Sequence, residues 1–194
     1  MNDYTDAPAT KLLATFCACC SLPLVDAVSV ETGVGPECRR KHGFAKPDTE
    51  VSYAAACTLV AEVPEAAEIV AGTSTVRELV NRLVYRIARD QRGAAVITWT
   101  NAVHELGYAK LAARIAKRLA AVEIDTDGSV YLVRARFSEE HLAAMRSVPG
   151  RWRDRMRRCD RVPLSSRQAL FAALTKAHPG QVARGPKGLF TFAA

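Results

Sequence analysis

The chain has 194 residues, 49% hydrophobic and 24% charged, with 27 Lys and Arg against 20 Asp and Glu, a net charge of +7. This content is ample for a core and argues against a disordered or fibrous chain, and no apolar run approaches the roughly 18 residues of a membrane span. The charge is lopsided: from Ser129 onward 13 Lys and Arg face 4 Asp and Glu, so +9, while residues 1–128 carry −2. Such asymmetry points to a polyanion partner for the last third, most simply nucleic acid; a solvated basic face is the plainer alternative.

The start, Met1 to Asp6, is polar and acidic and unlike a signal peptide, so a soluble, cytoplasmic protein is expected. Residues 1–15 read as a loose leader, with Leu12-Leu13 available to pack on the cysteine-bearing stretch after it. Four of the six cysteines lie in that stretch. Cys17 and Cys20 form a C-x-x-C pair. Cys38 follows Gly35-Pro36, where a short helix can begin, and His42 lies four residues on, on the same helical face. Thiolates with an imidazole suit a closed tetrahedral zinc site, so one structural Zn²⁺ held by Cys17, Cys20, Cys38 and His42 is expected. His42 is the least determined ligand; a water, Cys19 or a group from elsewhere can take its place, and otherwise Cys19 is a spare thiol. A disulfide framework lacks a secretory segment, and a redox C-x-x-C lacks its βαβ context.

This stretch resembles a zinc-knuckle-like family of unknown function common in phages and actinobacteria. The residues that carry the likeness are Cys17, Cys20, Pro23-Leu24, Asp26, Ser29, Gly33, Gly35, Pro36, Cys38 and Lys41. The resemblance implies a metal-held module and no reaction. Cys19 and Ser21, on either side of Cys20, depart from the family's usual turn.

Lys46 to Thr49 reads as a linker or a helix start. Residues 50–72 read as two short helices broken near Pro64. Over residues 75–92, Val76, Leu79, Val80, Leu83, Val84 and Ile87 recur at helical spacing behind a Thr75/Glu78 capping box, and Gly93 is placed to end the helix. Helices over 94–106 and 108–122, joined at Gly107, complete a three-helix bundle. The last of these carries Lys110, Arg114, Lys117 and Arg118 on one face. That is the pattern of a helix-turn-helix recognition helix, though many three-helix units share it with a merely solvated face.

Asp125-Thr126-Asp127-Gly128 signals a turn. Residues 129–137 alternate as a strand, with Val130, Leu132 and Arg134 on one face and Tyr131, Val133, Ala135 and Phe137 on the other. Ser138 caps a helix over 139–148, and Pro149-Gly150 ends it. Arg151 to Pro163 reads as a hairpin or a strand–loop–strand. A helix from Ser165 or Ser166 to His178 and a strand over 188–192 complete the chain. The expected class is α+β: a small zinc-bound module (1–48), a helical bundle (49–122) and a basic β-α-β-β-α-β domain (123–194) with its helices on one sheet face.

The partner chemistry concentrates in Arg151, Trp152, Arg153, Arg155, Arg157, Arg158 and Arg161. Arginine donates paired hydrogen bonds to phosphate, and an exposed Trp152 can stack on an unpaired base. As a strand, Arg151, Arg153, Arg155 and Arg157 share one face, which would send Trp152 and Met156 into the core. The stretch from Phe137 through Ser138-Glu139-Glu140, Val148, Pro149-Gly150-Arg151-Trp152 and Val162-Pro163 to Leu170 resembles the HARP domain of annealing helicases. That likeness implies binding to single-stranded or junction DNA without catalysis; the aromatic the family carries before Val-Pro is absent, Cys159-Asp160-Arg161 standing there. None of the four histidines sits in a catalytic pattern, no phosphate loop or G-x-S-x-G is present, and Cys57 and Cys159 are isolated. The reading is a zinc-stabilised, non-catalytic nucleic-acid-binding accessory protein, plausibly phage-encoded. The alternative is an inhibitor or adaptor whose basic face meets an acidic surface of a host protein.

Overall fold

The computed structural model describes residues 15–17, 19–24, 26–42, 51–90, 92–136 and 138–192. The fold is α+β. The chain divides into two compact units: residues 1–91 with 98–118, and residues 92–97 with 119–194. The cysteine-bearing stretch and most of the helical segment therefore share the first unit. The residues before Thr15, with Leu12 and Leu13, and the Lys46–Thr49 linker lie outside the described residues.

The first unit opens on a two-stranded ribbon, β1 (Thr15–Phe16) against β2 (Pro23–Leu24). Two short helices come next, α1 (Ala27–Thr32) and α2 (Pro36–His42). The broken pair around Pro64 is present as α3 (Tyr53–Ala61) and α4 (Ala66–Val70). Helix α5 (Val76–Asp90) is central: α1, α3 and α4 each pack on it, and all six apolar residues of its stripe are buried. Its capping box is closed, with the Glu78 amide donating to Thr75 Oγ1 (3.2 Å) and the Thr75 amide to Glu78 Oε2 (3.1 Å). Helices α6 (Ala94–Glu105) and α7 (Ala109–Leu119) complete the helical segment, with Gly107 at φ +91° between them. The Trp99 indole N–H donates to the Pro64 carbonyl (2.9 Å), giving a fully buried ring its polar partner.

The second unit is a six-stranded sheet with strands β3 (Val122–Asp127), β4 (Val130–Ala135), β5 (Trp152–Asp154), β6 (Cys159–Pro163), β7 (Val182–Gly185) and β8 (Gly188–Thr191). Its order is β5-β6-β4-β3-β7-β8, antiparallel except for β3 beside β7. Helices α8 (Glu139–Arg146) and α9 (Arg167–Ala177) pack together, and a core of Val122, Ile124, Val133, Met145, Val148, Val162, Leu170, Leu174, Ala183 and Phe192 joins them to one sheet face. Ser138 Oγ accepts from the His141 amide, capping α8 as its position implied.

Four expectations change. The third bundle helix stops at Leu119 rather than Val122, and the supposed turn at Asp125–Gly128 is mostly strand: β3 pairs with β4 along its whole length, and the reversal falls on Gly128-Ser129. The sheet order gains β3 and β7, giving ββαββαββ. Trp152 and Met156 do not enter the core; they are 45% and 94% exposed.

Candidate metal centre and arginine hairpin

The turn from Cys17 to Leu22 joins β1 to β2. The Cys17 amide donates to the Leu22 carbonyl (2.8 Å), the Ser21 amide returns to the Cys17 carbonyl (2.9 Å), and Ser21 sits at φ +57°. On this tight turn Cys19 and Cys20 are exposed while Cys17 is buried. Cys38 arrives from the first turn of α2. Pro36 is pre-set for a helix start, and the preceding helix ends at Gly33 with φ +73°, a left-handed cap that glycine adopts without strain. The motif residues Asp26 and Ser29 are buried and structural: Asp26 Oδ1 accepts from the Ser29 amide at the start of α1 (3.1 Å).

The ligand atoms of Cys17, Cys19 and Cys38 lie within 4.8 Å of one another. Thiolates about 2.3 Å from one zinc ion stand roughly 3.8 Å apart, so this group is positioned to hold a metal. Cys20 hydrogen-bonds to both Cys17 and Cys38. The cluster thus takes in Cys19, which the spacing left as a spare thiol. His42 closes α2 at an exposed position and is not part of the three-sulfur group. The doubled Cys19-Cys20 was the available signal that Cys19 joins the group.

The electrostatics favour a cation here. The Gly35 amide donates to Cys17 Sγ (3.4 Å), and this bond, with further donation from the Cys19 and Cys20 amides, lowers the Cys17 pKa to about 6. Hydrogen bonding with Cys20, burial and the nearby Cys17 push Cys38 up to about 12, while burial and then the charge of Cys17 raise Cys19. One thiolate is favoured and suppresses its neighbours; a divalent cation would relieve that repulsion.

In the second unit, Arg151 to Pro163 forms a hairpin in which Trp152 faces Arg161, Arg153 faces Asp160 and Asp154 faces Cys159 across β5 and β6. Asp154 Oδ1 accepts from the Arg157 amide (2.9 Å) to organise the turn, and Arg158 takes φ +51°. Asp160 is fully buried. Arg151 holds its Oδ1 (Nη2 at 2.6 Å), Arg153 Nη1 holds Oδ2 (3.0 Å), and His141 Nε2 of α8 stands 3.9 Å from Oδ2. His141 Nδ1 in turn meets His178 Nε2 at 3.0 Å. Burial works to raise the Asp160 pKa; His141, Arg151 and Arg153 outweigh it and hold the carboxyl below its ordinary value. Arg157 Nη1 donates to Asp127 Oδ2 (2.6 Å), while Arg161 reaches Asp127 and Asp154 at 3.8 and 3.6 Å. The Arg161 guanidinium also lies over the Trp152 ring, 5.2 Å from its centroid.

The six arginines are therefore not equivalent. Arg151 and Arg153 are tied to Asp160, Arg157 and Arg161 are matched by Asp127 and Asp154, and among the described residues Arg155 and Arg158 have no acidic partner. Both are exposed at the turn, beside Met156. In the first unit, Lys110, Arg114, Lys117 and Arg118 are exposed on α7 opposite the buried Leu111 and Ile115. The first turn of that helix is held from α1: the Glu31 carboxylate accepts from the amides of Lys110 (3.2 Å) and Leu111 (2.6 Å).

No helix among the described residues is long and apolar enough to cross a membrane. Residues 7–43 match the sequence profile of a family of unknown function (DUF6011), over the segment that carries the four clustered cysteines. No curated protein and no solved structure matches the chain.

Proposed function

We propose that this chain is a zinc-stabilised, non-catalytic protein that binds nucleic acid through the arginine hairpin of its second unit. The observation that carries the reading is the hairpin, where Arg155 and Arg158 stand exposed at the turn without acidic partners among the described residues and Trp152 is exposed on the strand leading into it. Phosphate oxygens are natural acceptors for such guanidinium groups, and a polyanion supplies them in series. The HARP resemblance favours single-stranded or junction DNA as the partner. Anisotropy of labelled single-stranded and duplex oligonucleotides, at two salt concentrations, tests the reading. Salt-sensitive binding at micromolar concentration or below is expected; absence of binding at low salt overturns it.

The metal is zinc in this reading, held by Cys17, Cys19, Cys20 and Cys38. Native mass spectrometry is expected to find one zinc per chain, lost in Cys38→Ser and retained in His42→Ala. A zinc-free native protein contradicts the assignment. A second reading draws on Met156, 94% exposed at the hairpin turn, and Trp152, 45% exposed on β5, apolar surface on one hairpin suited to a protein interface. A stoichiometric protein partner captured from nuclease-treated lysate, together with no oligonucleotide binding, would favour it.

A further inference from the structure

Trp152 lies on an edge strand, on the sheet face turned away from α8 and α9. Across the sheet it is in register with Arg161 of β6 and, beyond it, Leu132 of β4. Its ring is 45% exposed although the Arg161 guanidinium covers part of it. The ion pairs that restrain Arg161, at 3.6 and 3.8 Å, are longer than hydrogen bonds, so stacking on the indole contributes to its placement. The indole thus keeps an accessible aromatic surface on the strand that leads into the turn bearing Arg155 and Arg158.

We infer that Trp152, backed by Arg161, is a stacking platform for one unpaired base of a single strand whose phosphates lie along Arg155 and Arg158. This rests on the nucleic-acid reading and deepens it by assigning the base contact to one side chain, Trp152, with Arg161 behind it. The indole plane can meet the face of a base only where that base is unstacked from its neighbour, as in a single strand, a loop or a frayed junction. A duplex shows the hairpin only its phosphates and base edges.

The chain supplies its own optical probe. Of its two tryptophans, Trp99 is 1% exposed and Trp152 is 45% exposed, so quenching by an added oligonucleotide reads Trp152. Titration of the full-length protein with oligo-dT is expected to quench that fluorescence. Trp152→Ala is expected to weaken single-strand binding about tenfold or more and to leave duplex binding unchanged, while Trp152→Phe recovers most of the loss. An equal loss on both strand forms, or no loss on the single strand, overturns the inference. In that second case salt-sensitive binding by the wild type still stands, so the nucleic-acid reading survives. If the wild type binds neither form at low salt, both fall.

Discussion

Asp160 decides more than any other single residue in the second unit. A fully buried carboxylate is tolerable because two guanidiniums bond to it and an imidazole faces it. Asp160→Asn removes the charge and leaves Arg151 without its main partner. A stability loss of about 3 kcal/mol is expected in chemical denaturation, and a loss below about 1 kcal/mol would contradict the role. The same network sets a pH response. His178 has a lowered pKa because of burial and then His141, so the unfolded chain takes up this proton first. Stability from this source is complete above about pH 6.5 and declines as pH falls below it. The Asp160 pKa is also lowered, so its contribution is complete above about pH 3.8 and disappears only as pH falls through the still lower folded value. Thermal melts from neutral into strongly acidic buffer should show these two declines in that order, and Asp160→Asn should make the lower one smaller, with Asp154, Glu78 and Glu140 accounting for the rest.

At the scale of elements, Pro149-Gly150 both ends α8 and aims the chain into β5. Gly150 has φ +69°, and a Cβ built there would lie 2.9 Å from Pro163 Cγ. Gly150→Ala is therefore expected to cost about 2 kcal/mol by backbone strain and crowding together, measured by denaturant midpoint; an unchanged midpoint would refute the constraint. The elements also show what a sequence reveals and what it hides. Helix α5 was legible because six apolar residues keep helical spacing behind a capping box, two signals that agree. Strand β3 was not, because Val122 continues the apolar stripe of the preceding helix and Asp125-Thr126-Asp127 mimics a turn. Its strand character comes from pairing with β4, which is not a local property. In the hairpin, alternation correctly put Arg151 and Arg153 on one side and Trp152 on the other. Alternation cannot say which side is inside, and the choice was made by Asp160 receiving both arginines. At the cysteines, the C-x-x-C spacing found the right segment, but the turn at Ser21 brings Cys19 among the sulfurs, and such a turn has no signature in spacing alone.

For the whole molecule, formal charge overstates what a polyanion would meet. The last third carries +9 with Asp154 and Asp160 already counted, and within the hairpin four of six arginines are met by Asp127, Asp154 and Asp160, so three negative charges answer half of its six positive ones. The arginines opposed by Asp160 are structural, and those at the tip are available. Replacing Arg155 and Arg158 together by Ala is expected to make the logarithmic salt dependence of single-strand binding shallower by about 1.4, the share of two phosphate contacts, with the melting temperature unchanged. An unaltered slope would place the contacts elsewhere, and the exposed basic face of α7 would be the next surface to alter.

Glu31 gives the first unit a long-range consequence. It belongs to the short helix between the cysteine turn and Cys38, yet its carboxylate closes the start of α7 some eighty residues later in the chain. The amides of Lys110 and Leu111 thus act as an internal gauge of the cysteine module: when the module loosens, they should open to solvent first. Hydrogen exchange at these two amides is expected to quicken when a chelator strips the metal or Glu31→Ala is introduced, while the amides in the middle of α7 stay protected. Unchanged exchange at both would mean that the module and the basic helix keep separate company. If the gauge responds, metal occupancy near the start of the chain would be heard by the residues that carry its second basic surface.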